Sequence, residues 1–361
     1  MKLHVAALTP KDEALLARYD AFFESCPNAF IQQSTDWARA IAPLGPDHPY
    51  FLLCEDEMGP VGGLPLYHFI GPAGGVLTSV PQAGPLGGVF LRPGQEGNEE
   101  VFKALFNEAT NLADRLDCSI LTMITNFLTN DAGIYERCLP AGLVFENFTQ
   151  WILLSDCVKD GHLNISGTVG NNVRASHRKG VRVRRAARGD FDVWHAIHRR
   201  RHRELGISPL PENLLVGLLS GLEGKGKAWL EVAEFEGEII SGCVCVRHRN
   251  ICDAFIMSMD SRFAHLDPNY ALTAHILENL SLAGGAIFNW QSSAARSNGV
   301  YNFKKGWRAR EASYSIVSKL LKPIDPFLAL GREGLAKDYA GHYALPFGLF
   351  AEPTRRRFAK P

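Results

Sequence analysis

The sequence predicts an α/β fold with mixed sheets, built as two similar units in tandem. Its 361 residues, 46% hydrophobic and 21% charged, are enough for two cores. A strand, an acidic glycine turn and a second strand occur at 50–70 and again at 228–248, about 180 residues apart. Each hairpin has predicted helices before and after it. We interpret the repetition as an internal duplication of one α/β unit.

In the first half of the chain we predict helices with one apolar face and polar capping residues. Residues 12–25 keep Leu, Tyr and Phe on one side of a predicted helix. A short helix is expected after Ser34, whose hydroxyl can cap it, and a longer one over 98–116 after Asn98. Residues 71–98 are rich in Gly and Pro and predict loops with short strands. SILTMIT and FENFTQWILL are further predicted strands.

The second half repeats this order. We predict a helix over 190–205 with Asp190 as its cap, a strand at NICDAFIMSMD, a helix over 269–285 ended by its glycines, and a short strand at AIFNWQS. SYSIVSKLL follows as a strand. Residues 323–361 form a Pro-rich extension that loses periodicity, and its basic end, 352–361, is expected to be frayed.

Composition excludes several classes of protein. The formal net charge is zero, so no whole-chain field attracts nucleic acid or membrane. No apolar run reaches the roughly 18 to 20 residues of a membrane helix, and the N-terminus becomes charged too soon for a signal peptide. These features predict a cytoplasmic protein. The eight cysteines lack a C-x-x-C motif and are expected to be small buried hydrophobic residues in a reducing compartment.

Charged clusters suggest binding but not a metal site. His195, His198 and His202 recur at helical spacing, but we expect arginines on the same face to repel a cation. The run 174–188 carries seven Arg or Lys residues before the first acid. It is either a solvated surface or the wall of a groove for an anionic substrate. Arg199 and Arg203, together on the nearby predicted helix, can face the same cleft.

Common catalytic motifs are not found. The glycine loops GPAGG and QAGPLGGVF match neither a P-loop nor a G-x-G-x-x-G motif. The segment 261–276, where a coenzyme A pyrophosphate loop would precede a helix, has Arg262 but no glycine. There is no G-x-S-x-G and no cysteine in a catalytic context, so we expect no covalent acyl-enzyme.

The run GVYNFKKGW places two lysines among aromatic residues. Either Lys304 or Lys305 can reach solvent, while the other lies along apolar surface and places its ammonium in a cleft. The alternative is that both ammonium groups are solvated. A buried ammonium could stabilise negative charge that develops on a carbonyl oxygen, an effect worth about 3 kcal/mol of barrier. The residue pattern alone leaves both lysines open.

Four runs together resemble the Fem-type (FemAB-like) acyl- and aminoacyltransferases and the related BioF2-like members of the GNAT superfamily. They are FIQQSTDWARAI, PYFLLCEDEMGPVGGLPLY, NNVRASHRKGVRV and GVYNFKKGW, and they span roughly residues 30–312. The resemblance implies two tandem GNAT-like domains, at 1–165 and 166–322, followed by the extension 323–361. It also implies direct acyl transfer to an amine, without a covalent intermediate.

The resemblance also assigns site residues. It implies that Phe303 and Lys304 line the reaction site, with Lys304 stabilising the oxyanion and Lys305 in solvent. The expected substrate-binding residues are Arg199, Arg203, Gln291, Arg296, Tyr301 and Trp37. The donor is acyl-coenzyme A or aminoacyl-tRNA as a co-substrate, with no permanently bound cofactor. The acceptor is a small-molecule or lipid-linked amine, and tRNA is a further expected partner.

Two departures from the family pattern shape the alternatives. Relatives carry a Gly-Arg-Ser-like run where this chain has Gln291-Ser292-Ser293, with Arg296 further on. The long helical arm of some cell-wall enzymes has no counterpart, which weakens the peptidoglycan interpretation and leaves a smaller acceptor open. The resemblance still implies a role in peptidoglycan or cell-envelope biosynthesis. The alternative function is an RNA-binding or scaffold protein that uses the run 174–188. A third is a catalytically silent partner in cell-envelope polysaccharide synthesis.

Overall fold

The fold comes from a computed structural model that describes residues 3–45, 48–79, 81, 86–129, 131–140, 142–293 and 295–350. It is an α/β fold with mixed sheets, as predicted. Up to residue 165 the elements are β1 (His4–Leu8), α1 (Glu13–Ser25), α2 (Thr35–Ile41), β2 (His48–Asp56), β3 (Gly59–Gly71), β4 (Gly74–Thr78), β5 (Phe90–Leu91), α3 (Glu99–Arg115), β6 (Cys118–Ile124), α4 (Ala132–Cys138), β7 (Leu143–Leu153), β8 (Val158–Lys159) and β9 (His162–Leu163).

The second part of the chain repeats the alternation of helices and hairpins. Its elements are α5 (Gly167–Arg178), β10 (Arg182–Arg185), α6 (Asp190–Glu204), α7 (Glu212–Leu222), β11 (Ala228–Phe235), β12 (Glu238–His248), β13 (Ile251–Met259), α8 (Pro268–Leu282), β14 (Ile287–Ser292), α9 (Gly299–Gly306), β15 (Arg310–Leu320) and α10 (Asp325–Asp338). Both predicted hairpins therefore form, as β2–β3 and β11–β12.

The chain folds into two compact units. Unit 1 comprises Met1–Ala38, Gly45–Phe148 and Ala312–Pro361, and unit 2 comprises Arg39–Leu44 and Thr149–Glu311. Apart from the short segment Arg39–Leu44, the chain enters unit 2 at Thr149 and returns to unit 1 at Ala312. The predicted domain bounds, at residues 165 and 322, fall inside these units and stay a prediction.

Unit 1 is a sheet covered by the amphipathic helix α3. The strand order is β1-β2-β3-β4-β6-β15, with β5 paired to β3. Only β4 and β6 run parallel within this described order. The apolar stripe of α3, which includes Phe102 and Phe106, is buried against the sheet, and the Asn98 side chain caps the helix by accepting from the Glu100 N–H.

Unit 2 is also a mixed sheet, mostly antiparallel, with one parallel pair of strands among the described pairs. Its strand order is β7-β14-β13-β12-β11-β10, and within the described pairs only β13 and β14 run parallel. Helix α8 packs on β11 and β12, while α6 packs on β12 and β13. The core cluster that includes the buried face of α8 also contains Trp229, Phe288, Trp290 and Trp307.

Several predictions are corrected by the structure. Asp190 is not the cap of α6, because Gly189, with φ 99°, occupies the position before the helix. The Asp190 carboxylate instead accepts from the Ala187 N–H at 2.6 Å. The extension 323–361 is not devoid of regular structure, since α10 buries Phe327 and Leu335. Its basic end, 352–361, and part of the glycine loop at 82–90 lie outside the described residues.

The structure confirms the prediction that the cysteines are buried. All eight cysteines are free thiols, and all eight are buried. Because a free thiol packs as a small hydrophobic group, their scatter through apolar strands needs no chemical role. Within the described ranges, none of the helices combines the length and apolar character that a bilayer crossing requires.

Candidate active site

The site begins where β13 and β14 part. These parallel strands pair through Ile251 with Ile287 and through the next two positions, ending at Asp253 with Asn289. On its other edge β14 pairs with β7 from Ile287 opposite Leu153 to Ser292 opposite Thr149, with a register shift after Asn289. No described residue pairs the rest of β13, up to Met259, with β14. The two strands therefore separate at their carboxyl ends.

Buried polar side chains hold this point of separation. The Asn289 amide donates to Asp253 Oδ1 at 2.6 Å, and its oxygen accepts from Thr149 Oγ1 at 2.9 Å and from the Gln291 N–H at 3.3 Å. Asp253, Asn289 and Thr149 are at most 2% exposed. Because buried polar groups are costly unless bonded, this network fixes the local geometry. Gln291 follows with φ 61°, which turns the chain away from the strand direction.

Lys304 fills the turn that Gln291 creates. Helix α9 starts at the Asn298 cap, whose side chain accepts from the Tyr301 N–H at 2.7 Å. The helix directs Lys304 inward, where Nζ donates to the carbonyl oxygens of Gln291 and Ser292, each at 2.9 Å. An ammonium has three N–H donors. No described residue accepts the third.

Burial sets the electrostatics of this lysine. Lys304 is 5% exposed, and burial lowers its pKa to about 7, whereas Lys305 on the next helical position is exposed. No described carboxylate pairs with the Lys304 ammonium, so only carbonyl dipoles offset its desolvation. Near neutral pH the group can therefore present either an N–H donor or, once deprotonated, a lone pair.

Aromatic side chains cluster around Phe303, the residue before Lys304. The Phe303 ring lies 5.0 Å from Tyr270, 5.6 Å from Trp290 and 6.2 Å from Trp307, measured between ring centroids. Trp307 is fully buried and Phe303 partly so. Apolar walls of this kind exclude water, and a hydrogen bond to developing charge is stronger in such surroundings.

Arg296 and Tyr301 meet at one acid. Arg296 forms an ion pair with Glu311 at 2.7 Å, and the Tyr301 hydroxyl donates to the same carboxylate at 3.2 Å. The side chain of Gln150 donates to the Tyr301 carbonyl at 3.2 Å and accepts from Ser293 Oγ at 2.9 Å. These contacts tie the segment between β14 and α9 to its neighbours.

Arg199 and Arg203 lie apart from this group. Both are exposed on α6, and no described hydrogen bond or ring contact joins them to Lys304. We expected the histidines of α6 on the same helix face as these arginines. This prediction is wrong, because His195, His198 and His202 are buried. Leu210 N–H donates to His198 Nε2 and His198 Nδ1–H donates to Ser258, so these histidines serve the core.

Burial also explains the protonation of this histidine. Desolvation lowers the pKa of His198 to about 4, so the imidazole stays neutral at neutral pH.

Trp37, the remaining predicted substrate-binding residue, lies in α2 within unit 1, and its side chain is fully buried there. Its substrate-binding role stays a prediction.

Much of the basic run 174–188 is neutralised by acids. Lys179 pairs with Asp267 at 3.0 Å, and Arg184 pairs with both Asp190 and Glu234. Arg185 pairs with Glu231 at 3.2 Å. The run therefore presents a weaker positive surface than its composition suggested, because these cations are partly compensated within unit 2.

The sequence reasoning missed the polar network that holds the strand ends. Asp253 and Asn289 interrupt apolar stretches of β13 and β14, and Thr149 and Gln150 lie between the buried Phe148 and Ile152 of β7. That interruption was the available signal, because a polar residue inside a buried strand must find a partner. Within the described residues, no group of His, Cys, Asp and Glu could hold a metal ion.

Comparisons with known proteins agree with this fold. Residues 170–305 match the family model described as an acetyltransferase (GNAT) domain. Solved structures with the same fold include FemX (TM-score 0.67, 13% identity, covering 87% of this chain and 97% of that one) and a tandem GNAT protein from the clavulanic acid biosynthesis pathway (TM-score 0.55, 12% identity, 90% and 100%). No curated protein matches the sequence.

A third solved structure adds a lipid-related protein. It is the C-terminal domain of a putative lysylphosphatidylglycerol synthetase from Agrobacterium fabrum (TM-score 0.54, 13% identity, covering 90% of this chain and 97% of that one). The predicted fold class, two tandem GNAT-like domains, is thereby confirmed, as is the resemblance to Fem-like GNAT proteins at the level of the fold.

Proposed function

We propose that this chain is an N-acyltransferase that moves an acyl or aminoacyl group from an activated donor to an amine. The observation that supports this most is the buried ammonium of Lys304 at the point where β13 and β14 separate. This point falls within residues 170–305, the segment similar to GNAT acetyltransferase domains. A water-poor gap with one directed N–H donor suits attack on a carbonyl.

The proposed reaction is direct attack without an acyl-enzyme. The acceptor nitrogen forms a bond to the acyl carbon, and the carbonyl oxygen becomes negatively charged. Collapse of this tetrahedral species breaks the C–S bond of a thioester or the C–O bond of an ester. The proton lost by the attacking nitrogen passes, through water, to the departing thiolate or alkoxide, so the step is balanced.

Lys304 supplies the electrostatic stabilisation in this scheme. Two of its N–H groups are held by the Gln291 and Ser292 carbonyls, which orients the third. One preorganised donor of this kind lowers the barrier by about 3 kcal/mol. Phe303 packs the wall of the site, and Arg199 or Arg203 binds the anionic part of donor or acceptor.

Gln291 is the substrate-binding residue with the strongest support. Its amide nitrogen, Nε2, is buried and donates to no described residue. An unsatisfied buried donor costs about 1 to 3 kcal/mol, which a substrate acceptor atom would recover. The Gln291 backbone carbonyl also accepts from Lys304 Nζ, which brings the two residues together. The proposed substrate carbonyl would therefore lie between two donors, Lys304 Nζ and Gln291 Nε2.

Acyl-coenzyme A is the donor that similarity to GNAT domains suggests, and aminoacyl-tRNA is the alternative that the Fem-like fold keeps open. For the acceptor, we propose a small-molecule or lipid-linked amine of the cell envelope. The lipid-linked choice draws on the similarity to a lysylphosphatidylglycerol synthetase domain. These assignments rest on resemblance, whereas the role of Lys304 rests on its contacts.

The first test is the melting temperature of the purified chain with a panel of acyl-coenzyme A thioesters. A ligand at 100 times its Kd adds about 2.7 kcal/mol, which shifts melting by several degrees. A shift, followed by transfer to an amine panel, supports the thioester donor. No shift but transfer from aminoacyl-tRNA supports the other donor. No transfer from either, with salt-sensitive RNA binding, would favour the binding-only alternative.

A further inference from the structure

A pocket outside the Lys304 site lies in unit 2 between β11 and the C-terminal half of α8. Its volume is about 140 Å³. Glu231 and Trp229 of β11 form its floor, Ile276 and Leu280 of α8 form an apolar wall, and Arg185 and Arg247 lie at its rim. The proposed reaction makes no use of these residues.

This pocket is separate from the Lys304 site. Tyr270, in the first turn of α8, contacts Phe303. The pocket residues of the same helix, from Ile276 to Ala283, lie about 9 to 20 Å farther along its axis at 1.5 Å per residue. A small molecule bound in the pocket would therefore not touch Lys304.

The floor of the pocket contains an unsatisfied carboxyl oxygen. Glu231 is 2% exposed, and its Oε1 lies 3.2 Å from Arg185 Nε. Its Oε2 is buried and accepts no hydrogen bond from any described residue. Burial raises the pKa of this carboxyl to about 7. A buried oxygen without a donor is costly, so the geometry favours a ligand that brings one.

His275 does not supply the missing donor. Its Nε2 lies 3.7 Å from Glu231 Oε2, but the single lone pair of this nitrogen accepts from the Asn279 amide at 2.9 Å, so the nitrogen carries no hydrogen to donate. Glu231 Oε2 is therefore left to accept from a ligand, and a primary ammonium suits it, because the nearby C-terminal end of α8 also favours positive charge.

The rim offers the opposite charge at short range. The Arg185 guanidinium stacks on the Trp229 ring, with 4.8 Å between its central carbon and the ring centroid. Its Nε contacts Glu231, while its two terminal nitrogens bond to no described residue. A guanidinium fork of this kind matches the geometry of a carboxylate. Ammonium and carboxylate subsites are thus adjacent, as they are in an α-amino acid.

We propose that this pocket binds a small free α-amino acid with an apolar side chain. The ammonium contacts Glu231 Oε2, the carboxylate contacts the terminal nitrogens of Arg185, and the side chain packs on Ile276 and Leu280. An amine without a carboxylate, or an N-acylated amino acid, satisfies only one of the two subsites and binds more weakly.

Isothermal titration calorimetry of the full chain with L-valine tests this proposal, with isobutylamine and N-acetyl-L-valine as the probes that lack one charge. We expect one L-valine per chain and at least about tenfold weaker binding of either control. Glu231→Gln keeps the shape of the side chain but removes its charge, and it should weaken L-valine binding by at least about tenfold. Lys304→Met, in α9, should leave L-valine binding unchanged.

A second variant protects the test against misfolding. Ala283→Phe places a ring at the exposed mouth of the pocket without touching Glu231, and it should also abolish L-valine binding while its circular dichroism stays native. The proposal is overturned by no heat of binding at about 10 mM L-valine, by normal binding to Glu231→Gln or Ala283→Phe, or by loss of binding in Lys304→Met. That last result would move the amino acid to the acyl-transfer site.

Discussion

The two units differ most at their one described pair of parallel strands. In unit 1, β4 and β6 stay paired to Thr78 with Thr122, and Ser79 continues the ladder by donating to the Thr122 carbonyl. In unit 2, β13 and β14 stop pairing after Asp253 with Asn289. The same supersecondary arrangement is thus closed in one unit and open in the other.

Side-chain chemistry explains the difference. The Ser79 hydroxyl accepts from the Ile124 N–H at 3.0 Å, which helps to keep the strands of unit 1 together. In unit 2, Asn289 donates to Asp253, and Gln291 turns the chain. Lys304 Nζ then donates to the carbonyl oxygens of Gln291 and Ser292. Because an open strand pair leaves room for a reactive group, we expect the chemistry in unit 2 and a scaffold role for the strand pair of unit 1.

The largest predicted effect is on turnover. Lys304→Met keeps most of the side-chain volume but removes the N–H donors, and it should lower kcat by about 10²- to 10³-fold. Lys305→Met is the matched control, since the neighbouring ammonium is exposed, and it should leave kcat near wild type. Single-turnover transfer with the donor identified by the melting assay measures both. Equal rates for the two variants would remove Lys304 from the reaction.

Stability should depend on pH through the same lysine. Between about pH 7 and about pH 10 the unfolded chain binds a proton that folded Lys304 has lost, so wild-type stability should rise with pH. The gain relative to Lys304→Met is at most about 1.4 kcal/mol per pH unit. Urea unfolding of both proteins at several pH values measures it, with Lys305→Met as the baseline. A constant difference across this window would show that the ammonium is not desolvated.

The polar network at the strand ends should affect both stability and activity. Asn289→Leu removes the hydrogen bonds that Asn289 makes to Asp253 and Thr149 and should cost about 1 to 3 kcal/mol of unfolding free energy. It should also lower kcat, since Gln291 would lose an anchor. Ser318→Ala in unit 1 removes the hydroxyl that contacts Thr122 and is the matched control. Similar kcat values for two folded variants would mean that the network does not position Lys304.

The smallest effect is expected at the Glu311 cluster. Glu311→Gln disrupts an exposed ion pair with Arg296 and a hydrogen bond from Tyr301, so stability should change by no more than about 1 kcal/mol. Release of Arg296 and Tyr301 should instead appear as a change in KM for the acceptor. Unchanged kinetics with every acceptor would remove both residues from the proposed substrate-binding set.

The sequence predicted the repeated unit because its signals are local. Helix α3 follows from an apolar stripe and the Asn98 cap, and the two hairpins follow from acidic glycine turns between apolar strands. The aromatic run around Lys304 and Lys305 indicated that one lysine could be buried, with both solvated as the alternative, and only the resemblance to Fem-type proteins chose between the two lysines.

What the sequence could not supply depends on long-range register. Thr149 and Asn289 meet across 140 positions of sequence, so their hydrogen bond cannot be inferred until the strands are aligned. The same holds for the pairing of Arg184 with Glu234, which turned an apparently basic run into a partly neutral one. Asp190 was misplaced as a cap because Gly189, with its positive φ, fits the position before α6.

The most direct test is the pH dependence of kcat/KM for wild type and Lys304→Arg. Burial lowers the pKa of Lys304 to about 7, so the charged donor should disappear as pH rises through that value, and wild-type kcat/KM should fall there. Lys304→Arg keeps a permanent charge and, where it retains activity, should lack the fall. A wild-type rate that instead rises through pH 7, with the rise lost in Lys304→Arg, would contradict oxyanion stabilisation and make Lys304 a base.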